Sequence, residues 1–256
     1  MSWLLQSSRW SRQLIIPQFG PETQRRLSRA RVVIFGVGGV GCPAALYLAA
    51  AGIGTLVLVD ADVVELSNLN RQILYRTNDL GKSKAEMAAA FLKELDPALN
   101  VEIIAAKVGF SEIESLVRSA DAVMNGFDIN RDRFSVNDAC VRRGVFAVHN
   151  FVENFSGQLV ITVPSGKGCL RCLLDERYPE QKPVPVIGVA AAQAGVLAAA
   201  EIICFLGGTG GGKTPRRIFF DLAGKVWTVL PVEQNPGCPA CGGGAQNGKD
   251  GISRER

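Results

Sequence analysis

The chain has 256 residues, 47% of them hydrophobic and 20% charged, with 28 Gly and 12 Pro. This is ordinary globular composition and excludes a disordered or collagen-like chain. The net charge is only +4, dispersed and unlike the focused basic stripe of a nucleic-acid-binding surface. His149 is the single histidine, so a metal site built on several histidines is excluded. Residues 1–20 include Arg9 and Arg12 but no long apolar core with a small-residue cleavage site, so they do not read as a secretory signal. The most apolar run, Val186 to Leu206, is Ala-rich and carries Gln193 and Glu201. It reads as a buried helix, short of the uninterrupted apolar character of a membrane span. A cytoplasmic chain with no membrane and no nucleic-acid partner is expected.

In chain order, Pro21 opens a helix that runs to about Ala30. Val32-Val33-Ile34-Phe35 is a continuous apolar run ended by glycines, which reads as a buried parallel strand. A helix over 40–51 stops at Gly52-Ile53-Gly54, and a second buried strand, Thr55 to Val59, ends in Asp60. Lys82 to Leu95 is predicted helical up to Asp96-Pro97. A strand at Val101 to Ala105, a helix at Glu112 to Ser119 and a strand at Ala122 to Met124 follow. Next come a helix at Arg131 to Arg143 and a strand at Val145 to Val148. This alternation predicts a doubly wound, Rossmann-like, mostly parallel α/β sheet. Gly157 to Val163 and Arg217 to Val229 read as antiparallel additions in the C-terminal half. Gly207 to Gly212 reads as a surface turn. The expected organisation is a single domain over 1–242. It comprises a helical arm (1–30), a nucleotide-binding half (31–128) and a second half (129–242). A disordered tail is expected over 243–256.

Gly36-Val37-Gly38-Gly39-Val40-Gly41 follows a strand and opens a helix, the context in which a G-x-G-x-x-G sequence is informative. Glycines allow a tight turn and close approach to phosphate oxygens, and the helix N-terminus supplies unpaired N–H groups. Asp60 lies 24 positions after Gly36, where a carboxylate can accept hydrogen bonds from ribose hydroxyls. By itself the loop does not choose between NAD, FAD and ATP. Cations after the second strand, Arg71 and Lys84, suit the greater negative charge of a triphosphate. Asp128, just past the strand Ala122 to Met124, lies at the carboxyl edge where α/β ligands sit and can hold Mg²⁺.

Several ordered motifs resemble the MoeB/ThiF/HesA family of ubiquitin-activating-enzyme-like adenylyltransferases. They are Arg9-Trp10-Ser11-Arg12-Gln13, the glycine loop, Asp60-Ala61-Asp62, Ser67-Asn68-Leu69-Asn70-Arg71-Gln72, Gly81-Lys82-Ser83-Lys84, Asp128 and two C-x-x-C pairs. They span residues 9 to 241. The resemblance implies a nucleotide site at Gly36, Gly38, Gly39, Gly41, Asp60, Asp62, Asn68, Arg71, Gln72, Lys84 and Asp128. Asn68 and Arg71 would contact phosphates, and Lys84 would stabilise charge on the α-phosphate. Arg12 would reach the site of a homodimer partner. The implied reaction is attack of a carboxylate on ATP, giving an acyl-adenylate and pyrophosphate. The implied substrate is the C-terminal glycine of a small ubiquitin-like sulfur carrier ending in Gly-Gly, in molybdopterin- or thiamine-type sulfur transfer. A carboxylate is already ionised near neutral pH, so no general base is required.

Of seven cysteines, Cys169 and Cys172 form one C-x-x-C pair, and Cys238 and Cys241 the other. Two such pairs can complete a tetrahedral, thiolate-saturated and therefore structural Zn²⁺ site. A redox pair is the alternative. Gly168 and Gly237 precede the pairs and are expected to ease the turn into each knuckle. Cys42, Cys140 and Cys204 are expected in the core. Many relatives carry a further cysteine between the first pair and the following apolar helix; Leu173 to Val186 contains none. Adenylation without a covalent enzyme thioester is therefore expected. Asn125 stands where relatives often carry an acid, which leaves a metal resting on Asp128, and His149 reads as a structural histidine. Rival readings are adenylation of a small-molecule carboxylate, an NAD-dependent dehydrogenase and a non-catalytic nucleotide-binding scaffold.

Overall fold

The computed structural model describes residues 9–164, 167–174, 183–210 and 213–242. The expected tail and the middle of the crossover segment, 175–182, lie outside the described residues. Two short helices, α1 (Ser11–Leu14) and α2 (Gly20–Leu27), precede β1 (Arg31–Phe35). Helices and strands then alternate: α3 (Gly41–Ala51), β2 (Thr55–Val59), α4 (Lys84–Leu95), β3 (Asn100–Ile104), α5 (Phe110–Arg118), β4 (Ala122–Asn125) and α6 (Asn130–Arg143). A hairpin, β5 (Phe146–Glu153) and β6 (Ser156–Thr162), leads to the one-turn α7 (Leu170–Leu173) and the long α8 (Gly188–Gly207). A second hairpin, β7 (Arg216–Asp221) and β8 (Val226–Pro231), closes the fold.

The strands form one sheet in the order β3-β2-β1-β4-β5-β6-β7-β8. The first five are parallel and the rest antiparallel. After Arg31 and Thr55, β1 and β2 are apolar because helices cover both faces. Residues of α3, α4 and α8 pack on one face. Ile113 and Val117 of α5, with Val136, Ala139 and Cys140 of α6, pack on the other. The chain winds outward from β1 to β3 on one side and from β4 to β5 on the other. The crevice between β1 and β4 is the topological switch point, where ligands of such sheets bind.

Two departures from the sequence reading have physical reasons. β5 runs on to Glu153 because β6 supplies an antiparallel partner, from Ala147↔Thr162 to Glu153↔Ser156. His149 and Asn150, whose polarity suggests a strand end, therefore lie inside the sheet, 0% and 3% exposed. The second departure is α8, which is long and apolar enough by composition to cross a membrane, with a mean hydropathy of 2.0 and only 39% of its most apolar window buried. It lies against α3 and strands β5 and β6. Its small residues permit that closeness: a Cβ on Gly195 would sit 2.3 Å from the Val40 carbonyl oxygen.

Candidate functional site

The glycine loop leaves β1 through Gly36, whose φ of +85° only glycine adopts readily. A Cβ at Gly41 would lie 2.0 Å from the Gly36 carbonyl oxygen, so the start of α3 folds directly onto the loop. Gly38 and Gly39 line a cleft of about 790 Å³, and so does Gly36; Gly41 lies beneath the loop and does not line it. The Val37 peptide is held at both ends. Its N–H donates to Asp60 Oδ2 at 2.7 Å. Its carbonyl accepts from the Tyr75 hydroxyl at 2.7 Å and the Cys42 thiol at 3.3 Å.

Asp60, at the end of β2, is 8% exposed. Burial raises its carboxyl above the ordinary carboxylate value, against the pull of the Asp62 and Val37 amides. Each oxygen takes one backbone N–H, and the lone pairs left over can accept ribose hydroxyls. Beyond it, the Glu65 amide donates to Asn68 Oδ1 at 3.1 Å, which fixes a single 3₁₀ turn, Leu66–Asn68. Arg71 folds back on that turn, donating to the Ser67 carbonyl at 2.8 Å and Asn70 Oδ1 at 3.0 Å. Gln72 is 4% exposed and its Oε1 has no partner. Lys84, the first residue of α4, is 6% exposed and donates to Asp62 Oδ2 at 2.9 Å. The N-terminus of α8 abuts this wall, since a Cβ on Gly188 would lie 2.5 Å from the Asn70 carbonyl. Ala191 of α8 also lines the cleft.

The opposite wall is the turn after β4, which carries Asp128. Asn125 anchors it. Its Nδ2 donates to the Arg133 carbonyl at 3.1 Å and to His149 Nδ1 at 2.9 Å, and its Oδ1 accepts from the Phe127 amide at 3.4 Å. The amide at 125 is thus committed to the fold, and Asp128, with Asp132 at the start of α6, brings carboxylate to the cleft wall. A single carboxylate plus substrate phosphates is a common donor set for Mg²⁺, so these residues fit the ion. Burial, reinforced by the Arg133 charge, lowers His149 to about 3. The imidazole is neutral and structural, with Nδ1 accepting.

One cleft thus brings together Gly36, Gly38, Gly39, Asp60, Asp62, Asn68, Arg71, Gln72, Lys84 and Asp128. Arg12, exposed on α1, does not line it. The sequence reading missed Lys107, Arg131, Asp132, Arg133 and Asn150, which also line it. Their signal was positional: Lys107 follows the carboxyl end of β3 and Arg131, Asp132 and Arg133 follow that of β4, while Asn150 stands one residue beyond the stretch of β5 that pairs with β4.

A second constellation lies apart. The sulfurs of Cys169, Cys172, Cys238 and Cys241 all fall within 4.8 Å of one another. Cys169 Sγ is 3.7 Å from Cys238 Sγ, and Cys172 Sγ is 3.3 Å from Cys241 Sγ. Tetrahedral thiolates on an ion at about 2.3 Å would stand about 3.8 Å apart, so the cluster could hold a metal. Asn137 Nδ2 and the Asn235 amide donate to Cys169 and Cys172 sulfurs at 3.7 and 3.4 Å, an outer shell suited to thiolates. Gly168 has φ of +140°, and a Cβ there would meet the Val232 carbonyl at 2.2 Å, as expected of a knuckle glycine. Gly237 has no such need, since a Cβ would meet only Asn235 Oδ1 at 3.5 Å.

Comparison with known proteins agrees with this geometry. The ThiF family model matches residues 10–240. The SAMP-activating enzyme E1 of Haloferax volcanii is 40% identical over 253 residues, covering 96% of this chain and 93% of that protein. The sulfur carrier protein ThiS adenylyltransferase of Escherichia coli is 37% identical over 241 residues, covering 92% and 95%. Among solved structures, Escherichia coli MccB with ATP superposes with a TM-score of 0.76 at 27% identity, over 86% of this chain and 69% of that one. On its fold, its cleft and these matches, the chain belongs to the ThiF family.

Proposed function

We propose that this chain uses ATP to adenylate the C-terminal glycine carboxylate of a small ubiquitin-like sulfur carrier, releasing pyrophosphate. The observation that carries the reading is the convergence of the glycine loop, Asp60, Arg71, Lys84 and Asp128 on one cleft at the switch point. The relatives named as sulfur-carrier and SAMP activators support the choice of substrate.

In this reading Asp60 holds the ribose and the backbone of Gly38 and Gly39 cradles the phosphates. Asn68, Arg71 and Gln72 orient the triphosphate. Lys84 neutralises charge that builds on the α-phosphate as the carboxylate attacks. Catalysis is then positioning and charge neutralisation, with no proton to remove. Mg²⁺ at Asp128 would screen the phosphate oxygens. Zn²⁺ on Cys169, Cys172, Cys238 and Cys241 would pin the C-terminal segment to the body. Arg12 would complete the site of a homodimer partner, and residues 129–242 would receive the carrier, whose Gly-Gly end carries no side chain to obstruct the cleft. A cytoplasmic location fits this role. ATP–pyrophosphate exchange tests the reading. Exchange that depends on a carrier ending in Gly-Gly supports it; tight Mg-ATP binding without carrier-dependent exchange overturns it.

A further inference from the structure

Resting on that reading, we infer that Asn150 is a specificity-determining residue for the acyl substrate: its side-chain carbonyl accepts a backbone N–H from the carrier's C-terminal tail, which selects a carboxylate at the end of a peptide over a free small-molecule carboxylate. Val148, Asn150 and Val152 share one face of β5. Val148 packs in the core with α8, whereas Asn150 and Val152 line the cleft. Pro183, Val184 and Val186, ahead of α8, line it as well. That segment hangs from the turn between β5 and β6. Asn154, at φ of +53°, donates its N–H to the Pro185 carbonyl at 2.6 Å and accepts the Ile187 amide at 3.0 Å. Successive residues of an extended chain present their N–H and C=O groups to opposite edges, so those of Val186 face away from Asn154. Among the described residues they pair with no backbone group.

Asn150 is 3% exposed. Its Nδ2 donates to the carbonyls of Asn125 and Val148, both at 3.3 Å. Turning the amide over would set its oxygen against two carbonyl oxygens, so these contacts fix its orientation. Oδ1 is left buried with no donor among the described residues, and an unmet buried acceptor is costly. ATP does not meet it. The phosphates carry no N–H, and neither does the ionised carboxylate that attacks them. The ribose is assigned to Asp60 at the end of β2, and the base extends beyond it, away from the phosphates. In the order β2-β1-β4-β5, Asp60 and Asn150 stand three strands apart, about 14 Å at the usual spacing. The donor left is a peptide N–H of the acyl substrate, close to the carboxylate that meets the α-phosphate. An extended tail can also pair with the open edge of Val186, the strand-addition mode of peptide recognition. A small carboxylate without an N–H leaves Oδ1 unmet and is rejected, as sites built for a hydrogen bond reject analogues that lack it.

Semisynthetic carriers ending in Gly-Gly, with the N–H of the last or the next-to-last glycine replaced by an ester oxygen, test this in carrier-dependent ATP–pyrophosphate exchange. In the full-length wild-type enzyme one of the two esters should raise the KM for carrier about tenfold, with the KM for ATP unchanged. In Asn150→Ala the all-amide carrier should show a similar rise, and the esters no further one. Asn150→Leu, which conserves volume, is read in the same way where Asn150→Ala fails to fold. A residue that only clips β5 to the end of β4 would leave the ester effect intact in either variant. Ester losses equal in variant and wild type, or no loss with either ester in the wild type, overturn the inference while exchange with the all-amide carrier upholds adenylation. Failure of the wild-type enzyme to exchange with the all-amide carrier instead removes the adenylation reading on which the inference stands.

Discussion

Lys84 Nζ lies 2.9 Å from Asp62 Oδ2, with the lysine side chain 8% exposed and the aspartate 70%. The pair is lopsided: a buried ammonium is neutralised by a carboxylate that reaches in from solvent. Stripping an unpaired charge of water is costly, so the contact with Asp62 offsets the burial of Lys84 and aims it along the cleft wall. A triphosphate entering the cleft offers Lys84 a second, stronger set of anionic oxygens.

This geometry predicts that Lys84→Ala reduces kcat for ATP–pyrophosphate exchange by about 10²–10³-fold, the range for removing one donor to developing charge. Asp62→Asn should cost less, because the ammonium survives and only its alignment is lost. Steady-state exchange kinetics on both variants check the order. An Asp62→Asn defect as large as that of Lys84→Ala would contradict the assignment.

The four loop glycines should separate into two classes. A Cβ at Gly38 meets only Gln72 Nε2 at 3.7 Å, whereas one at Gly41 falls 2.0 Å from the Gly36 carbonyl oxygen. Gly38→Ala should leave Tm nearly unchanged and raise the KM for ATP, because the methyl intrudes where phosphate approaches. Gly41→Ala should lower stability by about 1–3 kcal/mol, the usual cost of overpacking, and damage ATP binding through the displaced loop. Thermal melts with and without Mg-ATP distinguish the two. Equal melting temperatures for both variants would refute the division.

These contrasts show what was legible in the sequence. The strands that build the switch point are continuous apolar runs closed by glycine or Asp, so β1, β2 and β4 could be read directly, along with the residues at their ends. Lys107, Arg131 and Arg133 could not. Arg131 and Arg133 stand in an ordinary charged stretch and Lys107 is a lone cation among apolar residues, and only the pairing order of β3, β2, β1 and β4 brings them to one rim. His149 misled for a related reason. A polar residue at the end of an apolar run resembles a strand terminus, but the β6 partner extends the ladder, and Asn125 of the neighbouring strand donates to the imidazole Nδ1. Gly41 belongs to the motif by spacing, yet its work is packing against Gly36.

Stability should fall in mild acid because of His149. Its folded value is lowered to about 3 by burial and then by the Arg133 charge, while the unfolded chain takes a proton near pH 6.5. Between those values the unfolded state binds more protons, so stability declines as pH falls through the window, by at most about 1.4 kcal/mol per unit. From pH 7 to pH 5 the loss from this residue is about 2 kcal/mol. His149→Gln keeps an acceptor for Asn125 and does not titrate. Denaturant melts at both pH values should show a smaller pH dependence for the variant; an unchanged dependence would rule the histidine out as its source.

The cysteine cluster predicts one bound metal per chain and coupled losses. Cys172 and Cys241 sulfurs lie on one side of the site, 3.3 Å apart. Cys172→Ala or Cys241→Ala removes a ligand of the same ion, so each should cost more than the about 3 kcal/mol that bounds ordinary substitutions. The double variant should be little worse than either single one, a strong departure from additivity. Metal analysis with melts, before and after chelation, gives the answer. Additive losses, or a Tm indifferent to chelator, would exclude a structural ion. Exchange activity below the melting transition should survive chelation if Mg²⁺ is resupplied, because the cluster does not line the cleft.

Arg12 gives the sharpest test of assembly. It is exposed on α1 and does not line the cleft of its own chain. The arm is fastened by Trp10, whose Nε1 donates to the Ala50 carbonyl at 3.1 Å, and by Gln13, which donates to the Ala51 carbonyl at 3.0 Å. A residue on so anchored an arm can serve catalysis only in a neighbouring subunit. Arg12→Ala and Lys84→Ala should each be inactive alone. Mixed by denaturation and refolding, they form hybrid dimers in which the Arg12→Ala subunit keeps its own Lys84 and receives Arg12 from its partner. With random pairing in a symmetric dimer, about a quarter of wild-type exchange should return. If Arg12 instead acts within its own chain, every site in the mixture lacks one residue and no activity returns.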